Sequence, residues 1–514
     1  MAGYKGKYIK TYLWSGAAML LNFISMFIVA PLTTSMPEAY GVYSLCISFN
    51  IFLRYADLGF IAAGRKYAAE AFSNNDRLKE KKYVGTSIII YGMMSTLLFL
   101  LALFGAAFPE YLIKDIEESQ YYGMSHQLLL ILAFTFPLSI IQKFNGLIYT
   151  VRIEEYKIQR VQIIGSAIKI ASVPLYFFHN KYDIVGYYLF SEVINLLTSI
   201  FNLYSSRNIG YGFKEFFRCL KFDKQTFVSM KALAFSGFAS VIGWITYYEL
   251  DTVGISILLG ANAVAVYAVG KQIQTLVRSF VSVIYSPYPV RINYFIGQKD
   301  IGGLRKFFYK LAVEFSVIII PIILLVFYAK PFIFSWVGCN YEDSVLILQL
   351  LVLTFIIHHI ASPGSSVIYG LNKVKDILKL AFIQPVLFWL GVFLTYSYLG
   401  VYSFAIFKLI ACLITEFYTC LLVCKYLDYS KKDFYWNLFA KPLVLIGMTS
   451  MILWYFTSPM LNSVSKNSID LLFVISVMAT SGVITLITSL SINKPLREEL
   501  NNMAAMLIAR IKRK

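Results

Sequence analysis

Fourteen long apolar stretches cross the chain, and the Lys and Arg residues between them fall on alternate sides. The stretches run over 9–31, 40–63, 83–107, 127–150, 159–178, 184–204, 231–257, 263–289, 308–329, 344–370, 377–398, 400–424, 438–457 and 470–492. Each approaches or exceeds the roughly 20 apolar residues that a helix needs to cross a bilayer. One set of alternate connections holds only Lys114, Lys181, Lys330 and Lys466. Six basic residues lie deep within the stretches, and the rest of the 46 lie in the other set or within a few residues of it at the stretch ends. A soluble fold has no reason to sort its cations this way. A polytopic membrane protein does, because basic loops stay in the cytoplasm.

Hydrophobic residues make up 58% of the chain and charged residues 14%, against about 25% charged in soluble domains. The net charge of +18 does not point to nucleic acid, because the basic residues are scattered over short connections rather than gathered on one patch. It fits the positive-inside bias and attraction to anionic membrane lipids. Lys5, Lys7 and Lys10 place the amino terminus in the cytoplasm, and an even span count returns the carboxyl terminus there. The connections 64–82 and 205–230 read as the long cytoplasmic loops, and 108–126 as an acidic external loop. Residues 493–514 read as a basic amphipathic helix on the inner membrane surface, with Leu496, Leu500, Met503, Leu507 and Ile511 on one face.

Of the six cysteines, only Cys339 falls in an external connection, so no external disulfide is expected. No Walker A loop, metal-ligand cluster or nucleophilic triad is present, and no cofactor is expected. The chain therefore reads as a transporter and not an enzyme.

The sequence also repeats itself. Tyr40-Gly41-Val42-Tyr43 resembles Val264-Ala265-Val266-Tyr267. With Tyr43 set on Tyr267, Asn50 falls on Gln274 and Arg54 on Arg278. Leu147-Ile148-Tyr149 resembles Val367-Ile368-Tyr369 further on. Units of six spans enter the membrane in the same direction, as in transporters built from parallel repeats. The expected fold is an all-α polytopic membrane protein of about 14 transmembrane helices. Two pseudo-symmetric six-helix lobes, 1–206 and 231–426, face a central cleft and are joined by the linker 207–230. Two peripheral helices lie in 427–492, followed by the tail 493–514.

Charges within the spans are the candidate site. The cations are Arg54, Lys143, Lys169, Lys271, Arg278 and Lys408; the anions are Asp57, Glu192, Glu249, Asp251, Glu314 and Glu416. A charge at a helix centre costs roughly 2.5–3.5 kcal/mol on insertion scales, so such groups face a cavity or a partner. Arg278 shares a polar stripe with Lys271, Gln274 and Thr275; Arg54 shares one with Tyr43, Asn50 and Asp57. Arginine keeps its charge when buried and grips phosphate with a bidentate fork. The six cations are therefore the expected substrate-binding residues, for an anionic head group. Competing readings stand beside this one. Arg54 pairs with Asp57, Lys143 snorkels to the surface, and one of Glu249 and Asp251 pairs with Lys271. Asp57, Glu249 and Asp251 are the candidates for ion coupling. His358 and His359 either titrate or pack.

Pro31, the segment Tyr40-Gly41-Val42-Tyr43-Ser44-Leu45, then Ala56-Asp57-Leu58-Gly59-Phe60 and Arg65-Lys66-Tyr67 are similar to the start of bacterial polysaccharide flippases of the Wzx type. These belong to the multidrug/oligosaccharidyl-lipid/polysaccharide exporter superfamily. The resemblance implies translocation of an undecaprenyl-diphosphate-linked oligosaccharide repeat unit across the cell inner membrane by alternating access, for O-antigen or capsule. It implies the polysaccharide polymerase and chain-length regulator as partners, and a cationic lumen. A lipid II flippase for peptidoglycan and a cation-coupled multidrug exporter are the alternatives.

Overall fold

The computed structural model describes residues 2–498 except 58, 115–118, 180, 286–287 and 495. Most of the expected tail 493–514 therefore lies outside the described residues. The chain divides into two compact units, 1–265 and 266–514. Among the described residues there is no strand, which is what a lipid environment requires of an open chain: helices satisfy every backbone group internally.

Unit 1 contains α1 (Ala2–Thr33), α2 (Pro37–Tyr55), α3 (Phe60–Ser73), α4 (Arg77–Ala107), α5 (Gln120–Val151), α6 (Tyr156–Phe177), α7 (Ile184–Ser205), α8 (Phe213–Cys219), α9 (Lys224–Tyr248) and the start of α10 (Leu250–Tyr285). Its pairs include α1 with α6, α4 with α5, α5 with α7 and α2 with α5. Glu249 interrupts the seventh expected span between α9 and α10. The backbone turns out of helical geometry at Gly260 (φ 83°), where the seventh and eighth expected spans divide.

Unit 2 continues with α11 (Tyr288–Gly297), α12 (Ile301–Phe315), α13 (Ile319–Phe327), α14 (Ala329–Trp336), α15 (Asp343–Leu353), α16 (His358–Gly370), α17 (Val374–Leu399), α18 (Tyr402–Leu427), α19 (Lys431–Tyr435), α20 (Lys441–Thr457) and α21 (Ser468–Ile492). Its core gathers Phe308, Ile360, Val423, Phe434 and Leu438. Leu496, from the start of the expected tail, is buried in that cluster.

Among the described residues, ten helices are long and apolar enough to cross a bilayer, or eleven if α15 and α16, bent by 44°, form one span. The expected count of fourteen is not reached by this measure. The shortfall has identifiable places. Spans seven and eight run together over Val241–Tyr285, and neither α2 nor α6 is among the ten. Helix α6 carries Lys157, Gln159, Arg160, Gln162 and Lys169, which hold its hydropathy below that of the ten.

The connection 64–82 is not a loop. Helix α3 continues to Ser73 and packs against α4 after a turn at 74–76, where Asp76 accepts the Lys79 N–H at 3.0 Å as an N-cap. The connection 205–230 is ordered as well. Glu80 is fully buried and accepts from Arg152 at 2.6 and 3.2 Å, from Arg77 at 2.7 Å and from the Tyr211 hydroxyl at 2.9 Å. Arg77 also donates to the carbonyls of Ile209 and Gly210. Lys81 pairs with Glu215, and Lys82 with Asp223 at 3.0 Å. Sequence reading saw 64–82 as a cationic loop; the acids that pair with Lys81 and Lys82 lie more than a hundred residues away.

Helix packing in lipid relies on close contact at small residues. A Cβ on Gly41 would lie 1.9 Å from the Ala261 carbonyl oxygen, so glycine lets α2 touch the backbone of α10 within unit 1. Around that contact Val42, Leu45, Leu128, Leu132 and Ala261 are buried together.

Candidate functional site

The turn between α2 and α3 is built from Asp57 and Gly59. Gly59 sits at φ 84°, a left-handed conformation that favours glycine. The Asp57 carbonyl accepts the Phe60 N–H at 2.8 Å, and its carboxylate accepts the Ile61 N–H at 3.2 Å. The same carboxylate lies 3.6 Å from Lys143 Nζ on α5. Lys143 in turn lies over the Tyr91 ring, 5.2 Å from its centre. The partner found for Asp57 is therefore Lys143, brought across from α5. The Arg54 side chain lies outside the described residues, so the expected Arg54–Asp57 pair falls there too.

Lys143 opens onto a polar cavity of about 310 Å³ bounded by α2, α4, α5, α6 and α7. Asn50, Gln142, Gln162 and Asn195 put side-chain amides on its wall. Lys169 Nζ donates to Asn195 Oδ1 at 2.6 Å, and Asn195 Nδ2 donates to Glu192 Oε1 at 3.3 Å. Lys169 and Glu192 are thus joined through an amide, which spreads two opposite charges over a short relay. Burying such groups costs least when each finds a hydrogen-bond partner. Sequence reading found the charges of this cavity and, of its amides, only Asn50. Asn and Gln carry no charge to stand out, and the wall is assembled from five helices.

The repeat appears as matching contacts in the two units. In unit 1 the Tyr43 ring meets the Tyr188 ring edge-on at 6.0 Å and 84°. In unit 2 Tyr267 meets Phe404 at 6.4 Å and 67°. One helical turn beyond Tyr188 stands Glu192, and one turn beyond Phe404 stands Lys408. The same place in the repeat is acidic in one unit and basic in the other. Lys408 is fully buried, donates to the Tyr267 hydroxyl at 3.3 Å and lies near the Phe388 ring. Gln274, the repeat counterpart of Asn50, donates to Leu351 O and Thr354 Oγ1, each at 3.4 Å.

Arg278 and Lys271 are half-buried on α10. Glu249 and Asp251 are buried in unit 1, and Asp251 accepts the Thr252 N–H at 2.7 Å. His358 Nδ1 lies 2.6 Å from Glu416 Oε1, so this acid partners a histidine. Glu314 lies 3.6 Å from Lys310 on its own helix. His359 is fully buried against the Leu438 carbonyl.

The family model for "Polysaccharide biosynthesis protein" matches residues 9–293, more than half of the chain. The chain belongs to the polysaccharide biosynthesis protein family. Among solved structures, this family member is similar to "Lipid II flippase MurJ, inward closed conformation", with TM-score 0.66 and 16% identity over 92% of this chain and 97% of that one. It is also similar to an inward-facing multidrug resistance MATE family transporter of the MOP superfamily (TM-score 0.60, 14% identity, 80% and 96% covered). A third is a MOP superfamily transporter from Pyrococcus furiosus whose description notes a binding pocket of reversed polarity (TM-score 0.58, 12% identity, 83% and 97% covered). No curated protein matches its sequence. At these identities the likeness shows the fold: the family member is a multi-pass membrane protein folded like these solved structures.

Proposed function

We propose that this protein is a flippase that carries an undecaprenyl-diphosphate-linked oligosaccharide repeat unit across the cell inner membrane by alternating access, with both termini in the cytoplasm. The observation that carries this reading is the presence of basic side chains within the membrane-spanning helices of a polysaccharide biosynthesis family member: Lys143 and Lys169 in unit 1, and Lys271, Arg278 and Lys408 in unit 2. Arg54, at the repeat position of Arg278, belongs to the same set by sequence. Cations in a low-dielectric setting offset the charge of a diphosphate far better than they would in water. The glycan is destined for O-antigen or capsule, which makes a polymerase and a chain-length regulator the downstream partners. Asp57, Glu249 and Asp251 are the groups for ion coupling.

Arg278→Ala tests the reading. Purified variant and wild type are reconstituted in vesicles with a fluorescent undecaprenyl-diphosphate-linked sugar, and its appearance in the far leaflet is followed. The variant should lose most of the transfer while reconstituting at the normal level. Transfer at the wild-type rate removes Arg278 from the site, and no transfer by wild type with any lipid-linked sugar removes the flippase reading.

A further inference from the structure

We infer that the polar cavity among α2, α4, α5, α6 and α7 is a binding pocket for an uncharged sugar ring. This rests on the flippase reading above and names the part of the substrate that unit 1 grips. The volume of about 310 Å³ lies at the small end of ligand pockets, which span about 300–1,000 Å³. It is an order of magnitude more than the share of one water molecule, about 30 Å³.

The chemistry of the wall decides among ligands. Thr135, Ser139, Thr198 and Ser199 all line the cavity, and each donates its hydroxyl proton to a carbonyl of its own helix, at 2.8, 2.7, 3.0 and 2.6 Å. Their oxygens keep lone pairs for an incoming donor. Asn145 Nδ2 donates to the Ser199 carbonyl at 2.9 Å. Its Oδ1 is buried without a hydrogen-bond partner, in a residue only 2% exposed. The wall is therefore rich in acceptors that ask for hydroxyl donors. Gln142 and Gln162 add side-chain amides, each a donor and an acceptor on one rigid plane, which matches a pair of neighbouring sugar hydroxyls.

Other ligand classes fit less well. A phosphate in this cavity would compete with Asp57 for Lys143. A free cation would meet the ammonium groups of Lys143 and Lys169, which are already set against Asp57 and, through Asn195, against Glu192. An apolar drug would leave the amides and hydroxyls unpaired. A polyol without net charge satisfies the wall and leaves the internal pairs in place. Gln142 and Gln162 are exposed, so the pocket is reachable from outside the helix core.

The test compares two lipids on the full-length protein in nanodiscs by native mass spectrometry: sugar-free undecaprenyl diphosphate, and the same lipid bearing N-acetylglucosamine, glucose or galactose. Wild type should favour at least one glycosylated lipid by about tenfold, the value of one or two net hydrogen bonds. Gln142→Leu and Gln162→Leu should each bring that ratio toward one, with affinity for the sugar-free lipid and the melting temperature unchanged. Both side chains are exposed, so folding is not at stake in either variant. If both variants keep the preference, or if wild type binds all the lipids equally, the sugar pocket is wrong while the flippase reading stands. If the variants instead abolish sodium binding and leave the preference intact, the cavity is a cation site. Wild type that binds none of the lipids overturns both readings.

Discussion

Lys143 Nζ on α5 stands 3.6 Å from Asp57 Oδ1 in the turn that follows α2. One carboxylate thus neutralises a membrane-embedded lysine and also caps the first turn of α3 through the Ile61 N–H. The two roles can be separated. Asp57→Asn keeps an acceptor for the cap and removes the charge; Asp57→Ala removes both. Loss of a cap costs about 0.5–2 kcal/mol, so the alanine variant should melt clearly below the asparagine variant in detergent. Equal melting of the two would show that the cap contributes nothing.

The buried Glu80 should be the most sensitive acid in the chain. Glu80→Ala leaves Arg152, itself 8% exposed, without its carboxylate. Breaking a buried pair in this way costs about 3–5 kcal/mol. Fluorescence-detected size-exclusion after a heating series should show Glu80→Ala unfolding well before wild type. Glu80→Leu combined with Arg152→Leu should recover much of the loss. A single variant that survives heating like wild type refutes the anchoring role.

Glycines of α2 and α5 should respond in opposite directions. Gly41→Ala drives a methyl into the Ala261 carbonyl, an overpacking worth about 1–3 kcal/mol of destabilisation. A Cβ on Gly146 meets nothing within 4 Å, so Gly146→Ala should be neutral or stabilising by up to about 1 kcal/mol from helix propensity. Thermal melts of the two purified variants check this, and a destabilised Gly146→Ala alongside a tolerated Gly41→Ala would reverse the packing argument.

Acid should loosen the segment 205–224. The Thr226 backbone N–H and Lys82 hold the Asp223 carboxyl down at about 2 rather than 3.8. Lys81 lowers Glu215. Each folded value is depressed, so each contribution is complete above the ordinary carboxylate range and is lost as pH falls through the folded value. Pepsin cleavage within 205–224 should stay low down to about pH 4.5 and rise between about 4 and 2. Lys82→Ala should move that rise to higher pH. Cleavage that does not change across this window would show that these pairs do not hold the segment.

How much was legible in the sequence depends on how far apart the partners lie. The apolar runs and the alternating basic connections, both local patterns, carried the membrane fold. The Asp57-Leu58-Gly59-Phe60 turn was visible as a motif, and the structure supplies its reason in the left-handed Gly59. The contact of Asp57 with Lys143, brought across from α5, had no local signal in the sequence. Glu416 of α18 meets His358 of α16, a pairing that no local pattern announced. The connection 64–82 looked like a basic loop until α3 packed on α4.

The residue order alone decided that this chain enters a bilayer many times and repeats itself in parallel, because hydropathy and charge act span by span. Only tertiary structure decided which embedded charges meet, that Glu80 gathers Arg77, Arg152 and Tyr211, and that amides from four helices line one cavity. Those outcomes depend on distances between helices, and in lipid close packing at residues such as Gly41 sets those distances. Neither composition nor periodicity contains that information.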